Sequence, residues 1–560
     1  MVCQGKFIHR IVKLIDVVSS SNSPASKCAR YQVSPSHPDV AIPSPSSHLG
    51  SLDGHSESPL MAKNHACRWI WNNSGKPRRR TSFVLFATSA TVHRCIIGRV
   101  TINMLPDDTL LEMFNFYLGE DPGIDELEEW HILVHVCRNW RIIVFGSPRR
   151  LNLQLHCGTR KPVRQMLGVW PVLPIIIWDW SPTRAVDNII AALGHNDRVC
   201  QIELGGVPNL LLENVLAAMQ EPFLALTSLQ LWSKDDDEVP VISDSFLGGS
   251  APRLQYLDLN CLPYLGLPKL LMSATHLVTL HLLDIPHSGY ISPKAMLTAL
   301  SSLTNLETFD LRFQSPQSRP DRESRHLTPP PTRSILPTLK YFKFRGVSEY
   351  LEDLVARIDA PILDCLHITL FHQLILDTPQ LTQFISRTPH FRPQDEARVT
   401  FFNSAVVFTL PEIYGRELEL GISCRHSDWQ LSSLAQICGF SFPPVLMSSL
   451  EHLYICEGQH SQLRWQGDVE NSQWLELLQP FTAVKDLYLS RGFAPCVLPA
   501  LQELVGERVS EALPALQSLF MEEVHPSGPV LEAIEKFVGA RQLSGHPISV
   551  SHWDREQDTR

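Results

Sequence analysis

Histidine and cysteine carry most of the metal and nucleophile chemistry available to a protein, and this chain of 560 residues holds 23 His and 13 Cys. Either chemistry needs those residues at fixed spacings. No Cys-x-x-Cys pair occurs, and no second His or Cys pair stands at ligand distance from a first. His131 and His135 are four apart and share one helix face, where a partly exposed surface pair is expected. Asp235, Asp236, Asp237 and Glu238 read as a solvated loop. Asn72-Asn73-Ser74 has the form of a glycosylation acceptor but no secretory context to use it. A Gly-rich phosphate loop, a Gly-x-Ser-x-Gly elbow and a His-Glu-x-x-His pattern are all missing from the sequence. The expectation is a chain with no catalytic residues, no cofactor and no metal, which performs no bond chemistry itself.

The stretch 101–147 reads as three short helices. Pro106 suits a first helical position, where its missing N–H would be unbonded anyway. Asp107 and Asp108 follow in the first turn, at the positive end of the helix dipole. Leu110, Phe114 and Leu118 recur every four residues, with Leu111 beside them. Gly119 and the turn Asp121-Pro122-Gly123 stop the helix. A second apolar stripe follows at Trp130, Leu133, Val134 and Cys137, continued by Trp140 and Val144. A piece of ~40 residues is marginal alone, yet this one carries more large apolar residues than its own packing can use. That pattern suits a docking module whose core is completed by a partner.

Those same residues carry a family resemblance. Leu105-Pro106-Asp107-Asp108, then Leu110, Phe114 and Leu118, then Val136-Cys137-Arg138-Asn139-Trp140-Arg141 resemble the F-box motif. The loop from Glu120 to Glu129 departs from it by being longer and more acidic than usual. The resemblance implies docking on the adaptor subunit of an SCF-type cullin–RING ubiquitin ligase, and through it on a cullin. It also implies that Leu105, Pro106, Leu110, Phe114, Leu133, Val136, Cys137 and Trp140 form or support that contact.

Beyond this module the sequence repeats. From Val199 the order apolar, two residues, apolar, one residue, apolar recurs at Val199/Ile202/Leu204, Leu226/Leu229/Leu231, Leu254/Leu257/Leu259 and Leu277/Leu280/Leu282. It continues at Leu306/Phe309/Leu311, Leu339/Phe342/Phe344 and Leu363/Leu366/Ile368. Late copies are Leu450/Leu453/Ile455, Val484/Leu487/Leu489 and Leu516/Leu519/Met521. Successive starts from 199 to 363 are 23 to 33 residues apart, close to the period of leucine-rich repeats. Helix-like stretches between them, such as Asn209 to Met219 and Ser292 to Leu300, complete a strand–helix unit. Between Ile368 and Leu450, Ala397 to Phe401 and Glu417 to Ile422 read as strands, so degenerate repeats are expected there, and a projecting loop at Gln314 to Thr332. Upstream, Arg149 to Leu155 reads as a strand, and Trp170 to Trp178 as a buried extended segment that its prolines confine to an edge. A helix from Pro529 to Val538 and a charged tail close the chain.

The expected fold is therefore α/β: a short α-helical F-box followed by an irregular leucine-rich-repeat-like solenoid. The divisions are a disordered Ser/Pro-rich region at 1–100, the F-box at 101–148, and a linker and N-terminal cap at 149–198. The solenoid takes 199–525, and a C-terminal cap and tail 526–560. Within the first 100 residues, Phe7 to Val18 has the spacing of a short amphipathic helix. Lys76-Pro77-Arg78-Arg79-Arg80 resembles a nuclear-import signal but reads first as a solvated linker.

Charge limits the partners. Residues 1–100 hold 13 Lys/Arg against 4 Asp/Glu, so the remainder carries a net −19 of the chain's −10. An acidic body of that size argues against nucleic acid. No apolar run reaches the ~20 residues of a membrane helix. Reduced cysteines fit the cytoplasm or the nucleus. Two functions follow: a substrate-recognition subunit that holds an unknown target protein on its repeats, or a non-degradative repeat scaffold that uses the F-box for assembly.

Overall fold

The computed structural model describes residues 105–118, 130–158, 162–180, 186–234, 240–316, 333–373, 375–411, 416–424, 426–458, 470–504, 506–522 and 528–555. The expected disordered region at 1–100, its amphipathic and basic stretches, the acidic run at 235–238 and most of the loop at 314–332 lie outside these residues.

Three helices open the described chain, at Asp107–Leu118, Trp130–Val136 and Arg138–Gly146. Eighteen strands follow among the described residues. They are β1 (Leu155–Cys157), β2 (Ile175–Asp179), β3 (Val199–Val207), β4 (Ser228–Ser233), β5 (Tyr256–Asn260), β6 (Thr279–Ile285), β7 (Thr308–Phe313), β8 (Ser334–Ile335) and β9 (Tyr341–Gly346), then β10 (Ile358–Asp359), β11 (Cys365–Phe371), β12 (Glu396–Phe402), β13 (Ala405–Pro411), β14 (Glu417–Ser423), β15 (His452–Glu457), β16 (Asp486–Leu489), β17 (Ser518–Met521) and β18 (Ser549–His552). Sixteen form one sheet, in the order β1 to β7, β9, β11, β14, β13, β12 and β15 to β18, while β8 and β10 pair separately.

The repeat pattern sets this sheet. Each apolar triplet places its last two residues on one strand face, and every one of those residues is at most 5% exposed. Register then stacks them. Leu204, Leu231, Leu259, Leu282, Leu311, Phe344 and Ile368 lie side by side across seven parallel strands. The helices between strands cover this face. Phe309 and Phe342 meet across the ladder with stacked rings 5.3 Å apart. The first residue of each triplet precedes its strand and turns inward; Leu226, Leu254, Leu277, Leu306, Leu339 and Leu363 are fully buried.

Four details correct the expectations. Among the described residues between β11 and β15 the strand–helix order of the repeats is not kept. The chain passes to β12, turns back at Asn403-Ser404 into β13, and turns again into β14, which pairs with β11. Both β12–β13 and β13–β14 are antiparallel. The strict alternation of Ala397, Val399, Phe401 and then Val406, Phe408, Leu410 buries one face of a hairpin as well as it would a repeat. The sheet also begins earlier, at Leu155, and ends later, at His552, than the interval 199–525. Arg149 to Asn152 form a turn instead of the expected strand, with Asn152 at φ +47°. Finally, β2 is not an edge strand but pairs on both sides, because Pro171 and Pro174 precede it and leave its own N–H groups free to pair.

The C-terminal end is locked by one buried arginine. The last helix, Gly528–Leu543, carries Arg541, which is 1% exposed. Its Nη1 donates to the Val509 carbonyl at 3.0 Å, and Nη2 to the carbonyls of Leu516 at 3.0 Å and Leu513 at 3.2 Å. Arg541→Leu would orphan these buried acceptors at a cost of about 3 kcal/mol. The expected outcome is early loss of the last repeats in a urea titration, with the N-terminal repeats melting later.

A carboxylate plays the linking role inside the array. Glu352, on the helix Ser348–Val355, accepts the backbone N–H of Gln380 and of Leu381, each at 2.8 Å, at the start of the helix Pro379–Arg387. Burial disfavours its ionised form and outweighs those bonds, pushing its pKa from 4.5 to about 7. Folding then holds the proton that the unfolded chain releases, so this group's contribution is greatest below pH 4.5 and falls as pH rises toward 7. The melting temperature of Glu352→Gln should therefore gain on that of the wild type between about pH 5 and about pH 8. A difference that stays flat across that range would contradict the assignment.

Candidate functional site

Two surfaces are available for function: the outside of the helical module and the open face of the sheet. The module has a closed interior of its own. Leu110 is 0% exposed, Phe114 2%, Leu133 1% and Trp140 2%. The Phe114 and Trp140 rings meet at 4.6 Å. Cys137 stands at the start of the third helix, where its Sγ accepts the Trp140 N–H at 3.4 Å and satisfies one of the unpaired donors of a helix start. Four of the eight residues tied to docking are thus internal supports. Leu105 and Cys137 are half-buried, and Pro106 and Val136 are exposed.

Sequence reasoning missed part of the outer face. Phe116 is 73% exposed and Ile142 63%. Leu105, Thr109, Met113 and Phe116 recur at helical spacing on the side away from Leu110 and Phe114, so the first helix has a second, partly apolar stripe. The signal was present in the sequence, but an inward stripe of Leu and Phe explains a helix without it.

The module is fixed to the array, not tethered loosely. Trp130 Nε1 donates to the Gln154 carbonyl at 3.0 Å. The Trp170 ring lies 5.3 Å from Trp130, 4.7 Å from His131 and 6.1 Å from Phe145. His131 is stacked on it and His135 meets it edge-on, so this histidine pair holds the module to the array. Arg150 donates to Asp108 at 2.9 Å and to Glu112 at 2.6 Å, pinning the first helix to the same turn.

On the open face of the sheet, alternation sets out the residues between the buried ones. One row runs Trp178, Glu203, Gln230, Asp258, His281, Asp310, Lys343, His367, Glu419, Thr409, Arg398, Tyr454, Tyr488 and Phe520. Its acidic groups are mostly answered from neighbouring strands or positions. Asp310 takes two bonds from Arg312, at 2.8 and 2.7 Å. Asp258 accepts from the Tyr256 hydroxyl at 3.2 Å. Glu417 bonds to His367 at 2.9 Å, and that bond holds its carboxyl below the usual range. Burial moves the neighbouring Glu419 the other way. The C-terminal end of the row is aromatic. Tyr454 and Tyr488 stack at 4.1 Å, Tyr488 and Phe520 at 4.5 Å, and Arg398 covers Tyr454 at 5.3 Å. At the other end Trp180 lies over Gly205, where a Cβ would come within 2.6 Å of its ring. Its Nε1 donates to Glu203 at 2.6 Å.

No family model matches the chain, and no curated protein matches it. Among solved structures, the chain is similar to the leucine-rich repeat-containing protein LegL7 from Legionella pneumophila. The two share 14% identity over 58% of this chain and 94% of that one, with a TM-score of 0.25. The repeat architecture described above rests on this chain's own strand register. Among the described residues, no helix is long and apolar enough to cross a membrane.

Trp170→Ala would remove the shared ring between module and array. The solenoid's main thermal transition should stay within a few degrees of the wild type, while limited proteolysis should cut near residues 147–153 faster. Equal cutting rates would mean that the aromatic cluster does not hold the module.

Proposed function

We propose that this protein is the substrate-recognition subunit of an SCF-type cullin–RING ubiquitin ligase. The helical module docks on the adaptor subunit, the open face of the repeats holds a target protein, and the chain itself is not a catalyst. Its contribution to rate is proximity, which turns a bimolecular encounter into an effectively intramolecular one. The reading is supported chiefly by the outside of the module. Pro106, Phe116, Val136 and Ile142 are exposed apolar residues on a unit whose inner apolar residues already satisfy its own core. Exposed apolar side chains gain free energy when a partner covers them. Rigid attachment through Trp170 and Arg150 supports it too, because a receptor must hold its cargo at a fixed distance from the ligase.

The internal position of Trp140 and Phe114 decides which variants test this. Substituting them would unfold the module, so the informative changes lie outside. Pro106→Asp with Phe116→Asp should abolish co-purification of the adaptor subunit, at least a hundredfold in affinity if two buried apolar anchors are lost. Near-ultraviolet circular dichroism should stay unchanged. Undiminished capture by the folded double variant would defeat the docking proposal.

A further inference from the structure

One side-chain cluster on the open face gathers three possible metal ligands from two strands. Strands β11 and β14 are parallel neighbours, with His367 directly opposite Glu419 and Cys365 opposite Glu417. Leu366, Ile368, Leu418 and Leu420 of these strands point into the core, so His367, Glu417 and Glu419 share the open face. One ligand atom from each lies within 4.8 Å of the other two. The His367 Nε2 and Glu417 Oε2 atoms are 2.9 Å apart.

We propose that His367, Glu417 and Glu419 form a binding site for a divalent transition-metal ion of the zinc class. Donors bonded at about 2.0 Å to a tetrahedral ion stand about 3.3 Å from one another. The His367–Glu417 pair at 2.9 Å lies just inside that spacing, and all three ligand atoms lie within 4.8 Å of one another. The strands that carry them are held on both sides, β11 by β9 and β14 by β13, so the ligand positions are preorganised. An imidazole with two carboxylates selects zinc-class ions over magnesium and calcium, which prefer all-oxygen shells. The His367 side chain is 23% exposed and that of Glu417 40%, which admits an ion from solvent and leaves its remaining coordination position facing outward.

Lys343 stands opposite His367 on β9 and shares the open face. A bound dication would repel its ammonium, and the flexible lysine would withdraw toward solvent. Lys343 is therefore a competitor of the ion, and its removal has a predicted sign.

The test is titration of the full chain, produced without a polyhistidine tag, with zinc chloride by calorimetry, and with cobalt(II) chloride followed by visible absorption. A single ion should bind with micromolar or tighter affinity and give the intense bands of low-symmetry cobalt. His367→Ala and Glu419→Gln should each weaken binding about tenfold or more, and Lys343→Ala should tighten it several-fold. Each variant should keep a single cooperative melting transition without metal, which separates lost ligands from lost fold. Absence of stoichiometric binding would overturn the proposal, as would binding indifferent to His367→Ala. Adaptor capture depends on none of these residues, so the two proposals fail separately.

Discussion

Everything in this molecule depends on the register of one parallel ladder. A single strand–helix unit of about 27 residues cannot bury the apolar face that it makes. It buries that face only when the next strand pairs in the same register, so that each inward Leu, Ile or Phe lands beside its equivalent. A slip of one residue would turn the whole row outward. The row through Leu204, Leu231, Leu259, Leu282 and Leu311 keeps that register across insertions of unequal length. Helix lengths and loops vary because the ladder constrains only where each strand starts.

The hairpin β12–β13–β14 shows how far this constraint reaches. The chain leaves the repeating path after β11, runs out to β12 and returns antiparallel to fill the gap it has left. Two of its strands still present parallel edges, β14 to β11 and β12 to β15. The ladder is therefore continuous although the topology is not. Its buried residues occupy the same rows as the repeats: Leu420 is paired with Ile368, and Val399 with Ile455. The detour also places Glu417 and Glu419 beside His367, which no uninterrupted repeat would do in this sequence order.

The helical module follows a different economy. Its core of Leu110, Phe114, Leu133 and Trp140 is small, and it leans on the array through Trp130, His131 and Trp170. Histidines that a spacing rule offers as metal ligands serve as flat packing surfaces here. The residues Pro106, Phe116, Val136 and Ile142 lie exposed on its outside, and the proposed docking role falls to them.

The sequence by itself determined the period of the array, its inward residues and the existence of three helices near residue 120, because burial of alternating or fourfold-spaced apolar side chains is a local property of the chain. Each strand of the repeats could be placed from its Leu-x-Leu core. Only the tertiary structure decided which half of the F-box-like residues faces outward, since Phe114 and Phe116 differ in composition not at all and in direction almost completely. The same holds for the reversal at Asn403-Ser404, for Arg541 closing the far end, and for the grouping of His367 with two glutamates fifty residues on. These pairings join positions remote in the chain, and a periodic pattern records where a side chain points but not which distant strand lies beside it.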